Sequence, residues 1–413
     1  MAGSLAAVEG AARSGRDSSR DRRALLVVLV TAAAACVSQA FGRFTYSLLF
    51  TDVRDGLGLS NTVAGAIGSA NLGAYLMGSL VVGLIVGRLG LARTLAVGIC
   101  GSTLSLVVLS WGPSLPVVFP AATAAGFFGA FVWITGPGLA TAAVGPARRG
   151  MAVGAIGAGI GIGIVLASLL ASATGVEGWR HVYRVEAVVG AAVAAGVLVG
   201  LRPELRRRPA PAASGPVGRP VGLRAITEMP GWGGLLMAYA LFAWALTSFV
   251  TFTVAVLDED AGWTRGQAAT AFTALGVGTV AGGPVFGPMS DRVGRSRALA
   301  VAFAVIVTTA VVLPVGLRPW SLVAAFAFGM AFTGVPTTVT ARVSDAIPPD
   351  RFGAAYSAAT LAFGAGLLIG PQLGGVLADR TGSFRPVFGV VAACGVAGGL
   401  LALRQPADAR PEF

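Results

Sequence analysis

Lysine is absent from this chain, histidine occurs once, cysteine three times, and only 12% of the 413 residues are charged. Each shortage excludes something. So few charged groups cannot coat a soluble globule of this length. Cys36, Cys100 and Cys394 stand inside apolar runs without metal-ligand or disulfide spacing, so neither a metal site nor a disulfide framework is expected. His181 is the single imidazole, and no nucleophile–base pair, metal cluster or phosphate-cradling loop is present. An enzyme is therefore not expected, no cofactor is required, and the missing Walker motif removes direct ATP drive.

Apolar residues take up that room: 55% of the chain is hydrophobic and the mean hydropathy is +0.79. Runs bounded by Gly, Pro and charge mark twelve spans, at about 24–50, 62–86, 92–110, 116–143, 151–173, 181–201, 231–257, 267–289, 297–317, 320–341, 352–377 and 385–403. The expectation is an all-α membrane protein with twelve transmembrane helices. Residues 1–23 lack a signal-peptide pattern and read as a disordered cytoplasmic tail. Residues 24–201 and 231–403 hold six spans each. The arginine- and proline-rich stretch 202–230 between them reads as a cytoplasmic linker, and 404–413 as a C-terminal tail.

All 30 basic residues are arginine, giving a net charge of +12. With the N-terminus inside, 22 of them fall on the inner side and 7 on the outer. That asymmetry follows the positive-inside rule, so both termini are expected in the cytoplasm and the chain in a bacterial inner membrane. Arginines in short loops beside an anionic leaflet need no nucleic acid. The expected partners are the lipid bilayer and a small-molecule substrate, with the protein a monomer.

The chain repeats itself. Gly78, Gly83, Arg88, Gly90 and Arg93 recur 204 positions later as Gly282, Gly287, Arg292, Gly294 and Arg297, and Gly159-x-x-x-Gly163 answers Gly366-x-x-x-Gly370. Two parallel repeats in a membrane protein imply two bundles rocking about a site between them. The glycines crowd into the second, fifth, eighth and eleventh spans, where three- and four-residue spacing lets helix backbones approach closely.

From about residue 24 to 403 the chain resembles the major facilitator superfamily. Gly287, Asp291, Arg292, Gly294 and Arg295 match the family's Gly-x-x-x-Asp-Arg-x-Gly-Arg signature, while the first copy departs from it with Gly87 in the acidic position. The resemblance implies two pseudo-symmetric six-helix bundles and alternating access. It also implies a cytoplasmic gate formed by Gly287, Asp291, Arg292, Gly294 and Arg295 with Arg88. Phe41-Gly42-Arg43-Phe44-Thr45-Tyr46 and Ala70-Asn71-Leu72-Gly73-Ala74-Tyr75 are similar to a poorly characterised bacterial branch, close in style to organic-anion transporters.

Arg43 is the charge inside an apolar span, and a central arginine costs roughly 2.5 to 3.5 kcal/mol on insertion scales. It either faces a cavity or snorkels outward. Gln39, Arg43 and Tyr46 share one helical face at i, i+4 and i+7. In the family such a face lines the central cavity, which would make it an anion-reading wall. Asn71 and Tyr75 form a second candidate pair, readable equally as interhelical glue. Trp244, Ser248 and Thr251, and Thr333, Thr337 and Thr340, repeat the spacing in the second half, although Ser and Thr often bond back to their own helix. The substrate-site candidates are therefore Gln39, Arg43, Tyr46, Asn71, Tyr75, Trp244, Ser248 and Thr337. No midplane carboxylate is evident. Glu186, about two turns into the sixth span and near Arg180 or His181 on helical spacing, is the one exception to weigh: it reads either as a buried titratable carboxylate or, because the sixth helix is peripheral in the family, as the expected interfacial group.

The reading is a transporter of a small organic solute, an organic anion held by Arg43, by secondary or facilitated flux. The alternatives are a drug or metabolite efflux pump, proton-coupled or not, and a non-transporting sensor with a transporter fold.

Overall fold

The computed structural model describes residues 21–144, 148–174, 178–206, 224–347 and 349–406. The stretches 1–20, 207–223 and 407–413, parts of the expected tails and linker, lie outside them. Among the described residues, twelve helices are long and apolar enough to cross a membrane. They are α1 (Asp21–Leu48), α2 (Asn61–Leu89), α3 (Leu91–Trp111), α4 (Leu115–Ala143), α5 (Gly154–Ala173) and α6 (Trp179–Gly200) in the first half. The second half has α7 (Trp232–Asp260), α8 (Arg265–Val293), α9 (Arg295–Val315), α10 (Arg318–Ala346), α11 (Ala355–Thr381) and α12 (Arg385–Leu403).

Each half packs by one plan. In the first, α2 lies on α4, α3 on α4 and α6; in the second, α8 lies on α10, α9 on α10 and α12. The repeated glycines explain why. A Cβ built on Gly78 would stand 2.3 Å from the Phe127 carbonyl oxygen of α4, and one on Gly282 would stand 2.1 Å from the Met330 carbonyl oxygen of α10. Only glycine lets these backbones meet, and in lipid that contact is what holds helices together. Gly90 (φ +80°) and Gly294 (φ +93°) turn the chain between α2 and α3 and between α8 and α9 in a region that side chains disfavour.

The bundles touch chiefly through α2 against α11 and α5 against α8. Along α2, Gly65, Gly73 and Leu76 meet Pro371, Leu368 and Gly364 of α11. The same stripe continues to Gly83 and Gly87, where an added Cβ would meet nothing within 4 Å. The facing pair behaves alike: Gly161 of α5 abuts Val280 and Gly276 of α8, while Gly157 and Gly154, one and two turns back, are open. The two halves therefore close on each other at one end and part toward the end that carries the Gly90 and Gly294 turns.

Candidate functional site

Helix α1 is not regular where its charge sits. Cys36–Phe44 winds as a π-helix, and the Thr45 N–H donates to the Ala40 carbonyl five residues back. Such segments occur frequently at functional sites. Within this turn the Arg43 guanidinium donates to Gln39 Oε1 at 3.3 Å, and Gln39 Nε2 donates to the Gly129 carbonyl of α4 at 2.8 Å. Arg43 therefore bends back toward Gln39. Its Cζ lies 4.7 Å from the Tyr75 ring centre and 5.7 Å from that of Phe44, both at cation–π range. Its buried Nε has no hydrogen-bond acceptor, and among the described residues no carboxylate pairs with it. Phe44 meets Phe332 of α10 edge-on at 5.6 Å, so the arginine lies beside a junction of the two bundles.

The structure brings Gln39, Arg43 and Tyr75 together and leaves the other candidates elsewhere. The π turn breaks the i+7 alignment, and Tyr46 instead donates to the Ala64 carbonyl at 2.6 Å, buried beneath α2. Asn71 is a clamp: its amide donates to the carbonyls of Gly42 (3.0 Å) and Ala122 (2.7 Å), tying α1, α2 and α4. Trp244 and Ser248 line a pocket of about 260 Å³ with Leu373, Arg380 and Val387, between α7, α11 and α12. Thr337 donates back to the Thr333 carbonyl of its own helix at 2.7 Å and faces Gly283 and Gly287 of α8.

Glu186 corrects the expectation of an interfacial carboxylate. It is 1% exposed and accepts a hydrogen bond from the Thr45 hydroxyl at 2.6 Å, because α6 packs on the π segment of α1. Arg180 is not its neighbour; it donates to the Gly112 carbonyl and stacks on Trp179.

The expected gate residues form a clasp within the second half. Arg295 pairs with Asp291, reaches Asp345 of α10 at 2.8 Å and donates to the Ser290 hydroxyl at 2.6 Å. Arg292 and Arg88 are exposed. Gly287 lies beside Thr337 and Gly294 makes the turn.

Ion pairs that cross between the halves occur at the opposite, closed end. Arg265 of α8 pairs with Asp52 on the short helix Phe50–Gly56, and Arg54 on that helix reaches Glu259 at 2.6 Å. Asp379 of α11 caps the start of α2, accepting from the Asn61 and Thr62 backbone N–H groups at 3.0 and 2.7 Å. Sequence reasoning missed this cluster. Its signal was the opposite charge carried on facing loops of the two halves, Arg54 against Asp258-Glu259-Asp260 and Asp52 against Arg265.

Burial pushes the Asp52 carboxyl up to about 6, against the pull of the Arg265 guanidinium. A carboxyl raised in the closed form binds its proton more tightly there than in an open form where it meets water. Acid therefore favours closure: the effect is fully present below the ordinary carboxylate value near 3.8 and is lost as pH rises through about 6. Labelling of a cysteine introduced at this end is expected to fall on acidification across that window and to lose its pH dependence in Asp52→Asn. An unchanged profile in the variant would remove Asp52 as the titrating group.

The comparisons with known proteins agree with this fold. The chain superposes on the nucleoside transporter NupG with a TM-score of 0.78 at 12% identity, covering 92% of this chain and 99% of that one. It superposes on an inward-facing, unoccupied bacterial homolog of the human lysosomal transporter Spinster with a TM-score of 0.67 at 16% identity, covering 93% and 94%. In sequence it is 27% identical over 150 residues to Protein ZINC INDUCED FACILITATOR-LIKE 1 of Arabidopsis thaliana, a match spanning 36% of this chain and 30% of that protein. Residues 35–403 match the family model described as "Uncharacterised MFS-type transporter YbfB". The chain is a multi-pass membrane transporter that belongs to this family of the major facilitator superfamily.

Proposed function

We propose that the chain carries a small organic anion across the membrane by alternating access, with Arg43 as the group that holds the negative charge. The observation that carries the reading is the state of that guanidinium. It lies at the junction of two bundles, braced by Gln39, Tyr75 and Phe44, with an unpartnered Nε and, among the described residues, no carboxylate to neutralise it. A cation kept in an apolar surround without a protein counter-ion favours an anionic ligand, since burying an unpaired charge is costly. The planar guanidinium also suits bidentate binding of a carboxylate.

The parted end carries the arginine-rich loops, which the positive-inside rule assigns to the cytoplasm with both termini. On that assignment the structure is an inward-facing form, shut at the outer end where Arg265 meets Asp52 and Arg54 meets Glu259. Gln39, Arg43 and Tyr75 then form the substrate-binding wall, and Phe332 is its counterpart in the second half. Drug efflux is the competing reading, supported by the aromatic groups around the arginine.

The test is flux in proteoliposomes, using a panel of labelled aromatic and aliphatic carboxylates together with cationic drugs. Arg43→Gln is expected to reduce saturable carboxylate flux by roughly tenfold or more, the loss of about 1.4 kcal/mol or more of charge-assisted binding. Cationic drug flux that ignores the substitution would overturn the anion reading.

A further inference from the structure

Glu186 takes no part in that site, yet its surroundings are unusual for a carboxylate. Its Oε1 accepts from Thr45 at 2.6 Å, and its Oε2 is buried without any hydrogen-bond partner. No cation pairs with it among the described residues. The elements packed on α6 are α3, α5, the π segment of α1 and the short helix Arg202–Arg206. Between Cys100 and Trp111, α3 has no titratable side chain, and α5 has none along its length. The arginines and Glu204 of the short helix lie beyond the far end of α6, past Gly200. The titratable groups that face Glu186 are the Cys36 thiol of α1 and the Tyr183 phenol of its own helix.

An ionised carboxylate with one hydrogen bond in such a place is heavily penalised, and such groups take up a proton instead. The hydrogen bonds accommodate that form. With the proton on Oε1, the carboxyl donates to the Thr45 hydroxyl, and that hydroxyl turns to donate to the Ala40 carbonyl, which lies 3.5 Å away. Thr45 closes the π turn, and Arg43 is two residues before it. The proton on Glu186 and the anion on Arg43 therefore meet through one short segment of α1.

We propose that Glu186 is the proton-binding site of this transporter and that its proton travels with the substrate. The direction of coupling rests on the anion reading above. An anion at Arg43 brings negative charge toward Glu186 and so favours its protonated form. By linkage a protonated Glu186 favours the anion equally. Two ligands that promote each other's binding load on the same side and cross together, which is symport. Exchange of the proton with water requires Thr45 to leave Glu186, and rewinding the π turn to α register supplies such a movement.

Infrared difference spectra of the full chain in liposomes, titrated from neutral to alkaline pH, test the site without a known substrate. A carbonyl-stretch band of a buried protonated carboxyl is expected at neutral pH, absent in Glu186→Gln and retained in Arg43→Gln. Thr45→Val is expected to keep the band and move it to higher wavenumber, because the carboxyl loses its hydrogen bond. Labelling of Gly83→Cys should change several-fold on alkalinisation, and the change should vanish when Glu186→Gln is added. A band that persists in Glu186→Gln, or is missing from the parent at neutral pH, overturns the proposal. So does identical labelling of the two proteins. If the band behaves as expected while carboxylate flux ignores Arg43→Gln, the proton site stands and the anion reading, with the symport direction, falls.

Discussion

Gly65→Val should stop turnover while leaving each bundle folded. A Cβ at Gly65 would lie 2.4 Å from the Pro371 carbonyl oxygen of α11, and one at Gly375 would lie 2.3 Å from the Asn61 carbonyl oxygen of α2. Both contacts cross between the halves, so a larger side chain obstructs only the form in which this end is shut. Overpacking typically costs 1–3 kcal/mol; about 2 kcal/mol here would shift the closed-to-open ratio roughly 30-fold. The expected result is near-zero exchange flux with an unchanged thermal unfolding midpoint, and raised cysteine accessibility at the end holding Asp52 and Arg265. Wild-type flux in both Gly65→Val and Gly375→Val would show that this contact does not separate during transport.

A contrasting outcome is expected inside a bundle. A Cβ at Gly126 of α4 would lie 2.0 Å from the Asn71 carbonyl oxygen of α2. Asn71 itself clamps α1 and α4 through its side-chain amide. Gly126→Val must therefore push apart three helices and break two buried hydrogen bonds. Overpacking of 1–3 kcal/mol combines with about 1–3 kcal/mol for each polar group left unpaired. A destabilisation on the order of 4 kcal/mol is a large share of a typical folding free energy. The expected result is poor recovery of folded protein and a lowered unfolding midpoint in detergent. A midpoint equal to that of the parent would mean that α2 and α4 can separate without penalty, contrary to the close-packing account.

Those two glycines also mark what could be read in advance. The spans were legible because bilayer thickness imposes a length on apolar runs, and the duplication because Gly78 and Gly282 solve one packing problem twice. Arg43 was legible because a lone charge in such a run stands out. Glu186 stood out as a carboxylate in an apolar span, but its burial did not, since its partner Thr45 is 141 positions away and a threonine in an apolar helix carries no signal. Helical spacing misplaced Tyr46 because the π turn, invisible in the residue pattern, changes the register after Phe44. Trp244 and Ser248 share a face as expected, but only the packing of α7 on α11 and α12 shows which way that face turns. The same applies to Arg265 and Asp52, paired across 213 positions in loops that read as simple surface.

The contact of Leu76 with Gly364 has a mechanical meaning. It is where the shut part of the α2–α11 seam ends, and Gly65 and Gly87 lie eleven residues to either side of Leu76. At 1.5 Å per residue each arm is about 16 Å long. A helix pivoting on this fulcrum has equal arms, so any travel that spreads one mouth narrows the other by the same distance. A solute of given width thus sets one stroke length for both entrances, and widening one mouth for a bulkier cargo would demand the same extra travel at the other.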